Sequence, residues 1–233
     1  MALLGEGIFV AWHDVADGST AKYDRWHSHE HMLERVSIPG FLRGRRYTVV
    51  EQGPHYLVIY ETADVGVFTA PAYLDRLNNP TPTTREVMPT VRNMNRTLCR
   101  VGISFGCGIG QAMLTIQLSP EGGYEQKHRD WLRGELEQLA GKPGIVGAHL
   151  VIADEVASRA PTREKLLRTQ ADEVANWVLL IEGYDVTLVQ DQCGMVLSSD
   201  RLEVCGARAG SVRSLYRLVH LVTQDDVLPA QRH

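Results

Sequence analysis

The feature that most restricts how this 233-residue chain can fold is an internal repeat. Ile38-Pro39-Gly40-Phe41 returns as Lys142-Pro143-Gly144-Ile145, an offset of 143 − 39 = 104. Tyr56-Leu57-Val58-Ile59-Tyr60-Glu61 with Asp64-Val65 returns as Trp177-Val178-Leu179-Leu180-Ile181-Glu182 with Asp185-Val186, at 182 − 61 = 121. Arg96-Thr97-Leu98-Cys99-Arg100-Val101 is answered by Arg213-Ser214-Leu215-Tyr216-Arg217-Leu218, at 217 − 100 = 117. Upstream of each Pro-Gly a Trp is followed four residues later by a Glu, as Trp26 and Glu30 and as Trp131 and Glu135. Matched blocks in one order indicate two copies of one supersecondary unit, and such a repeat fixes the architecture before any motif does. The growth in offset places an insertion in the second copy near 156–175, where Thr162 to Leu167 reads as an added helical excursion.

Within the first copy, Gly7 to Val15 is strand-like and Thr20 to Val36 helical, with Ser19 or Thr20 as its cap. The Pro39-Gly40 turn ends that helix, Phe41 to Glu51 alternates as a strand, and Gln52-Gly53-Pro54 makes a hairpin into a strand over His55 to Glu61. A helix from Asp64 toward Leu77, a Pro-rich connection over 78–82 and a strand over 97–105 complete a βαββαβ order. The second copy repeats it with strands near 112–118, 144–153, 176–183 and 213–223 and a helix over 124–139. Such a unit makes an antiparallel sheet with both helices on one face and an apolar, bare face on the other. Two of them can cover each other. The expected fold class is therefore α+β: two tandem ferredoxin-like βαββαβ units packed sheet to sheet as an α/β-barrel, with 1–106 as the first half, 107–111 as a linker and 112–233 as the second. Glycine-rich Gly106 to Gly110 precedes a strand and not a helix, so it reads as a link or bulge and not as a phosphate loop.

A formal charge of −4 and a pI near 6.1 offer no basic field for nucleic acid or for an anionic membrane surface. No stretch approaches the roughly 18 apolar residues of a membrane helix. The opening MALLGEGIFVAWHD lacks a positive leader segment and reads as folded protein. Cys99, Cys107, Cys193 and Cys205 are scattered, without zinc-type spacing, as expected of reduced thiols in a cytoplasmic protein. The expected partner is a small-molecule substrate, with no nucleic acid and no membrane, and leftover sheet edges leave room for a homodimer.

Trp26-His27-x-x-Glu30-His31, then Ile38-Pro39-Gly40-Phe41 and Arg45-Arg46-Tyr47, resemble the dimeric α/β-barrel superfamily, which includes EthD-like proteins, antibiotic-biosynthesis monooxygenases, muconolactone isomerase and stress-responsive barrel proteins. The resemblance covers the first copy; the second keeps only the Pro-Gly turn, the strand pattern and the Trp-to-Glu spacing, since His31 has no counterpart beside Glu135. It implies a ferredoxin-like fold with a ligand cavity between the helices and the sheet of one half. It implies no single reaction, because the superfamily holds cofactor-free oxygenases, isomerases, cyclases, heme enzymes and proteins without known activity.

On the first helix the i, i+3, i+4 rule is expected to turn Tyr23, Trp26, Glu30 and Leu33 toward the sheet. Burial would raise the pKa of Glu30 and a nearby His or Arg would oppose it, and either setting makes a general base. Pairing with Arg45 or Arg46 would make Glu30 structural instead. His27 and His31, one turn apart, can share a ligand, a metal or a proton; no metal is expected, because the HExxH arrangement is absent and a further ligand must come from elsewhere, such as His13. A loop carbonyl is the structural alternative for His31. On the second strand Phe41, Arg43, Arg45 and Tyr47 should share one face. His149 matches Arg45, at 149 − 45 = 104, so the two halves should differ chemically and one should be active. His29 should face water, and the recurring pairs Arg96/Arg100 and Arg213/Arg217 read as structural.

The expected function is that of a cofactor-independent enzyme acting by proton transfer on a small, mainly apolar carbonyl or phenolic molecule, as an isomerase, cyclase, lyase or oxygenase. Glu30 with His27 or His31 would move the proton, Tyr47 and Arg45 would hold the developing oxyanion, and Trp26, His13 and Tyr23 would bind the substrate. The alternatives are a non-catalytic ligand-binding or stress-type barrel whose interior is filled beside Trp26, and a heme-binding member of the fold with a proximal His.

Overall fold

Alternating apolar strands broken by Pro-Gly stops give eight strands in a computed structural model that describes residues 3–227. The ends of the two expected halves, residues 1–2 and 228–233, lie outside the described residues. The first half runs β1 (Gly7–Val15), α1 (Thr20–Trp26), a π-helical turn (His27–His31), α2 (Met32–Val36), β2 (Phe41–Glu51) and β3 (Tyr56–Thr62). A 3-10 turn, α3 (Pro71–Asn78) and α4 (Pro82–Val87) then lead to β4 (Val91–Gly106), so the expected Pro-rich connection carries a capped helix and the last strand starts earlier than its apolar run suggested. The second half runs β5 (Ala112–Leu118), α5 (Glu125–Ala140), β6 (Ile145–Ala153), α6 (Glu155–Arg159), α7 (Arg163–Leu166), β7 (Trp177–Gly183), α8 (Val186–Val196), α9 (Ser199–Val204) and β8 (Val212–Thr223).

The two Pro-Gly turns are copies in detail. Gly40 has φ +91° and Gly144 +92°, a left-handed conformation that glycine adopts without steric cost. An added Cβ would meet Val67 at 2.6 Å in one and Leu188 at 2.4 Å in the other, each on the segment that comes after the third strand of its half.

The strands close into one antiparallel barrel in the order β1-β3-β2-β8-β5-β7-β6-β4. Each half contributes four neighbours, and the halves join edge to edge where β2 pairs with β8 and β4 with β6. Among the described strands no edge is left unpaired, so the sheet-edge argument for a homodimer loses its footing. The bare faces meet as the bore, which Ile8, Val10, Trp12, Leu57, Ile59, Met113, Val178 and Leu180 fill. Trp12 Nε1 donates to Thr115 Oγ1 at 3.1 Å, tying one half to the other inside it. Each such apolar side chain contributes about 1.5–3 kcal/mol by leaving water.

Outside the barrel the two helix layers differ. In the second half Leu132, Leu136 and Leu139 of α5 pack on Ile116, Leu150 and Leu179. The corresponding layer of the first half is aromatic and rich in histidine.

Candidate functional site

The first helix decides which side chains reach the sheet, and its π-helical turn changes the result that regular spacing predicts. A π turn widens the ring to i→i+5 and rotates the residues beyond it about the helix axis. Tyr23, Trp26, His27, His31, Met32, Arg35 and Val36 are buried, while His29 is exposed and Glu30 only half-buried. Gly44 on β2 allows this helix to lie close, since a Cβ there would meet Tyr60 at 2.8 Å and Met32 at 3.2 Å.

A cavity opens beneath that helix, leaving about 40 Å³ in which the centre of a water-sized molecule can sit. Its walls come from β1 (Phe9, Ala11, His13), the helix (Tyr23, Trp26, His27, His31), β3 (Val58, Tyr60) and β4 with the turn before it (Met88, Val91, Met94, Arg96). Three of the expected site residues meet directly: His13 Nε2 and Tyr23 Oη lie 2.7 Å apart, and Tyr23 stacks on His27 with centroids 5.2 Å apart. The Trp26 and His31 rings approach to 4.3 Å, and His27 and His31 to 5.5 Å.

Burial governs the protonation of this group. It lowers His13 to about 3, with Arg168 and Arg46 adding to the effect against Asp14. It also holds His27 and His31 well below the usual histidine value, with His31 and Arg46 acting on the first and Arg35 on the second. Burial pushes the Tyr23 and Tyr60 phenols upward. At neutral pH the cavity therefore presents neutral imidazoles and intact phenols. The Nδ1 atoms of His13, His27 and His31 and the Tyr60 hydroxyl have no hydrogen-bond partner among the described residues.

Three expected catalytic residues lie elsewhere. Glu30 is rotated to the flank by the π turn and accepts from Thr81 Oγ1, which lies 2.9 Å from Thr84 Oγ1, the acceptor of Trp26 Nε1 at 3.2 Å. Arg45 and Tyr47 point into the bore, across the sheet from the cavity. Arg45 is fully buried between Glu61 Oε1 at 2.9 Å and Glu182 Oε1 at 2.8 Å. Tyr47 packs beside it, its hydroxyl without a hydrogen-bond partner among the described residues. A bulge between Phe41 and Arg43 breaks the expected alternation, so Phe41 joins the helix layer while Arg43 reaches Glu61. His149, the counterpart of Arg45, shares the bore: its Nδ1 lies 2.9 Å from Ser104 Oγ, and burial and Arg45 hold it at about 3, close to Glu182 though it is.

The insertion supplies a roof that repeat arithmetic located in the chain but not in space. Glu164 and Arg168, from the second half, complete the wall of the first-half cavity. Arg35 of α2 pairs with Glu164 of α7, Arg168 makes two bonds to Asp172, and Asn93 N donates to Gln170 Oε1 at 3.0 Å. Among the described residues no group of three or more His, Cys, Asp or Glu is arranged around a metal-sized centre, and no helix is long and apolar enough to cross a membrane.

No family model and no curated protein matches the sequence. Solved structures do. An anthrone oxidase-like protein superposes with a TM-score of 0.65 at 10% identity, covering 99% of this chain and 98% of that one. The chain has the dimeric α/β-barrel fold. A proposed monooxygenase from Lactobacillus acidophilus shares this α/β-barrel at a TM-score of 0.60 and 13% identity, over 94% and 97% of the two chains. A heme-binding protein from Thermus thermophilus shares it at 0.54 and 8%, over 93% and 92%.

Proposed function

We propose that the first-half cavity is the active site of an enzyme that moves a proton on a small, mainly apolar carbonyl or phenolic molecule. The reading rests on one observation: His13, His27 and His31, all buried and carrying unpartnered ring nitrogens, converge with Tyr23 and Trp26 on a void. That void lies beside Trp26, where a merely structural barrel would be filled.

A neutral imidazole accepts a proton from an activated C–H or O–H only if the charge it acquires is offset. Loss of the proton leaves an enolate or phenolate in the same dry space, and this anion raises the basicity of the imidazole beside it. The Tyr23 hydroxyl, bound to His13, is placed to donate to the new oxyanion or to pass the proton on. Glu30 acts at one remove, holding Trp26 in the cavity wall through Thr81 and Thr84. The likeness to an anthrone oxidase-like protein supports a ketone with an acidic benzylic position as the first probe.

The test is deuterium exchange at the methylene groups of 2-indanone and anthrone, followed by NMR in D2O under nitrogen. The whole protein is expected to accelerate exchange over buffer, and the double variant His27→Ala, His31→Ala to lose the acceleration. Exchange no faster than in buffer would overturn the reading.

A further inference from the structure

Among the described residues, buried arginines are paired with carboxylates, with one departure. Arg35 meets Glu164, Arg43 and Arg45 meet Glu61, and Arg46 meets Asp24. Arg96 on β4 is 5% exposed, yet no carboxylate among the described residues lies within ion-pair distance of it. Its Nη2 donates to Tyr73 Oη at 3.0 Å and its guanidinium sits 5.1 Å from the Phe9 ring centre, while Nη1 has no hydrogen-bond partner among the described residues. An unpaired buried charge costs several kcal/mol, a cost that a bound counter-charge would offset.

The second copy provides an internal comparison. Arg213 stands in the same register, and its guanidinium is spent on two carbonyls, Leu197 O at 3.0 Å and Cys193 O at 3.2 Å. Arg96 has no such pair of carbonyls and lines the cavity instead. The other charges on the wall cancel locally: Arg168 with Asp172 and Glu164 with Arg35. With the imidazoles neutral, one positive charge is left over, and Lys165 nearby adds to the positive field.

Given the reading of the cavity as the active site, we infer that Arg96 makes it a receptor for a planar aromatic anion, whose carboxylate, phenolate or enolate oxygen docks on Nη1 while its ring lies among Phe9, Tyr23 and Trp26. A guanidinium so placed also holds the product of proton removal, so one residue sets both ligand class and transition-state charge.

The experiment uses the whole chain and three small probes. Calorimetric titration compares benzoate with benzamide, its neutral isostere. Wild type is expected to bind benzoate about tenfold or more tighter, since hydrogen bonds to charged groups carry about 1.5–3 kcal/mol. Arg96→Gln should erase the difference and Arg96→Lys should retain part of it, with circular dichroism confirming the fold. In the third arm, 4-nitrophenol, read by its visible phenolate absorbance, should ionise at lower pH when bound to wild type than when free. A gain confined to benzoate supports a carboxylate ligand, and one confined to 4-nitrophenol a phenolate or enolate. If benzamide binds as well as benzoate and 4-nitrophenol shows no shift, Arg96 is not an anion anchor although the cavity still binds ligands. If no probe binds, the cavity reading falls and this inference with it. The wild-type arms decide the matter even if Arg96→Gln does not fold.

Discussion

Arg45 of β2 and Glu182 of β7 meet at 2.8 Å in the bore of the barrel, 137 positions apart in the chain and both sealed from solvent. Glu61, the repeat partner of Glu182, holds the other side of the same guanidinium at 2.9 Å. One cation thus joins equivalent carboxylates of the two copies. Removing one partner of a buried pair leaves an uncompensated charge, at a cost of about 3–5 kcal/mol. Glu182→Gln should therefore lower stability by about that amount in chemical denaturation, while the folded fraction keeps its rate of proton exchange on 2-indanone. Loss of that rate in folded protein would restore a catalytic part to Arg45 and Tyr47.

Acid should destabilise the protein through its histidines. In the unfolded chain an imidazole takes up a proton near pH 6.5, but His13 and His149 are held at about 3 and His27 and His31 well below normal. Between those limits the unfolded state binds more protons, so stability rises with pH across that window and levels off above it. Each histidine contributes a slope of up to about 1.4 kcal/mol per pH unit. Melting temperature should fall steeply from pH 6.5 to 5, and His13→Gln should flatten the slope. A melting temperature constant from pH 5 to 7 would refute the burial of these rings.

Glu30 should prove a positioning group. Thr84→Val cuts its route to Trp26 without touching the cavity chemistry. The variant should shift Trp fluorescence and raise KM a few-fold, with kcat little changed. Glu30→Gln, which keeps an acceptor for Thr81, should behave like wild type. A kcat collapse on Glu30→Gln alone would show that the carboxylate handles the proton itself.

The roof should open when its ion pair is removed. In Glu164→Gln, hydrogen exchange over 158–170 is expected to speed up while the barrel strands stay protected, because Arg35 retains Glu34 at 3.6 Å. Benzoate should then associate and dissociate faster. Unchanged exchange in that segment would mean that the roof is held by its packing.

The repeat makes the barrel legible, since the Pro-Gly turns, the apolar strands and the arginine pairs all occupy matched places. The features that escape the sequence depend on shifts of a single residue. The bulge beside Phe41 and the π turn at His27–His31 each change which side of an element a residue faces, and periodicity has no term for either. Glu61 and Glu182 stand in the matched blocks as acids closing fully apolar strands, a pattern that signals a buried counter-ion without naming it. Arg96 is visible as a recurring arginine, but its difference from Arg213 lies in its neighbours, which no spacing reveals.

Because β2 finds its second neighbour only in β8, Arg45 lying opposite Leu221, the barrel stays open until almost the whole chain has left the ribosome. The cavity under the first helix draws its wall from β1, β3, β4 and the 164–168 segment and takes no residue from β8. Closing the barrel and walling the cavity are thus separate events in the life of the chain, made by different segments.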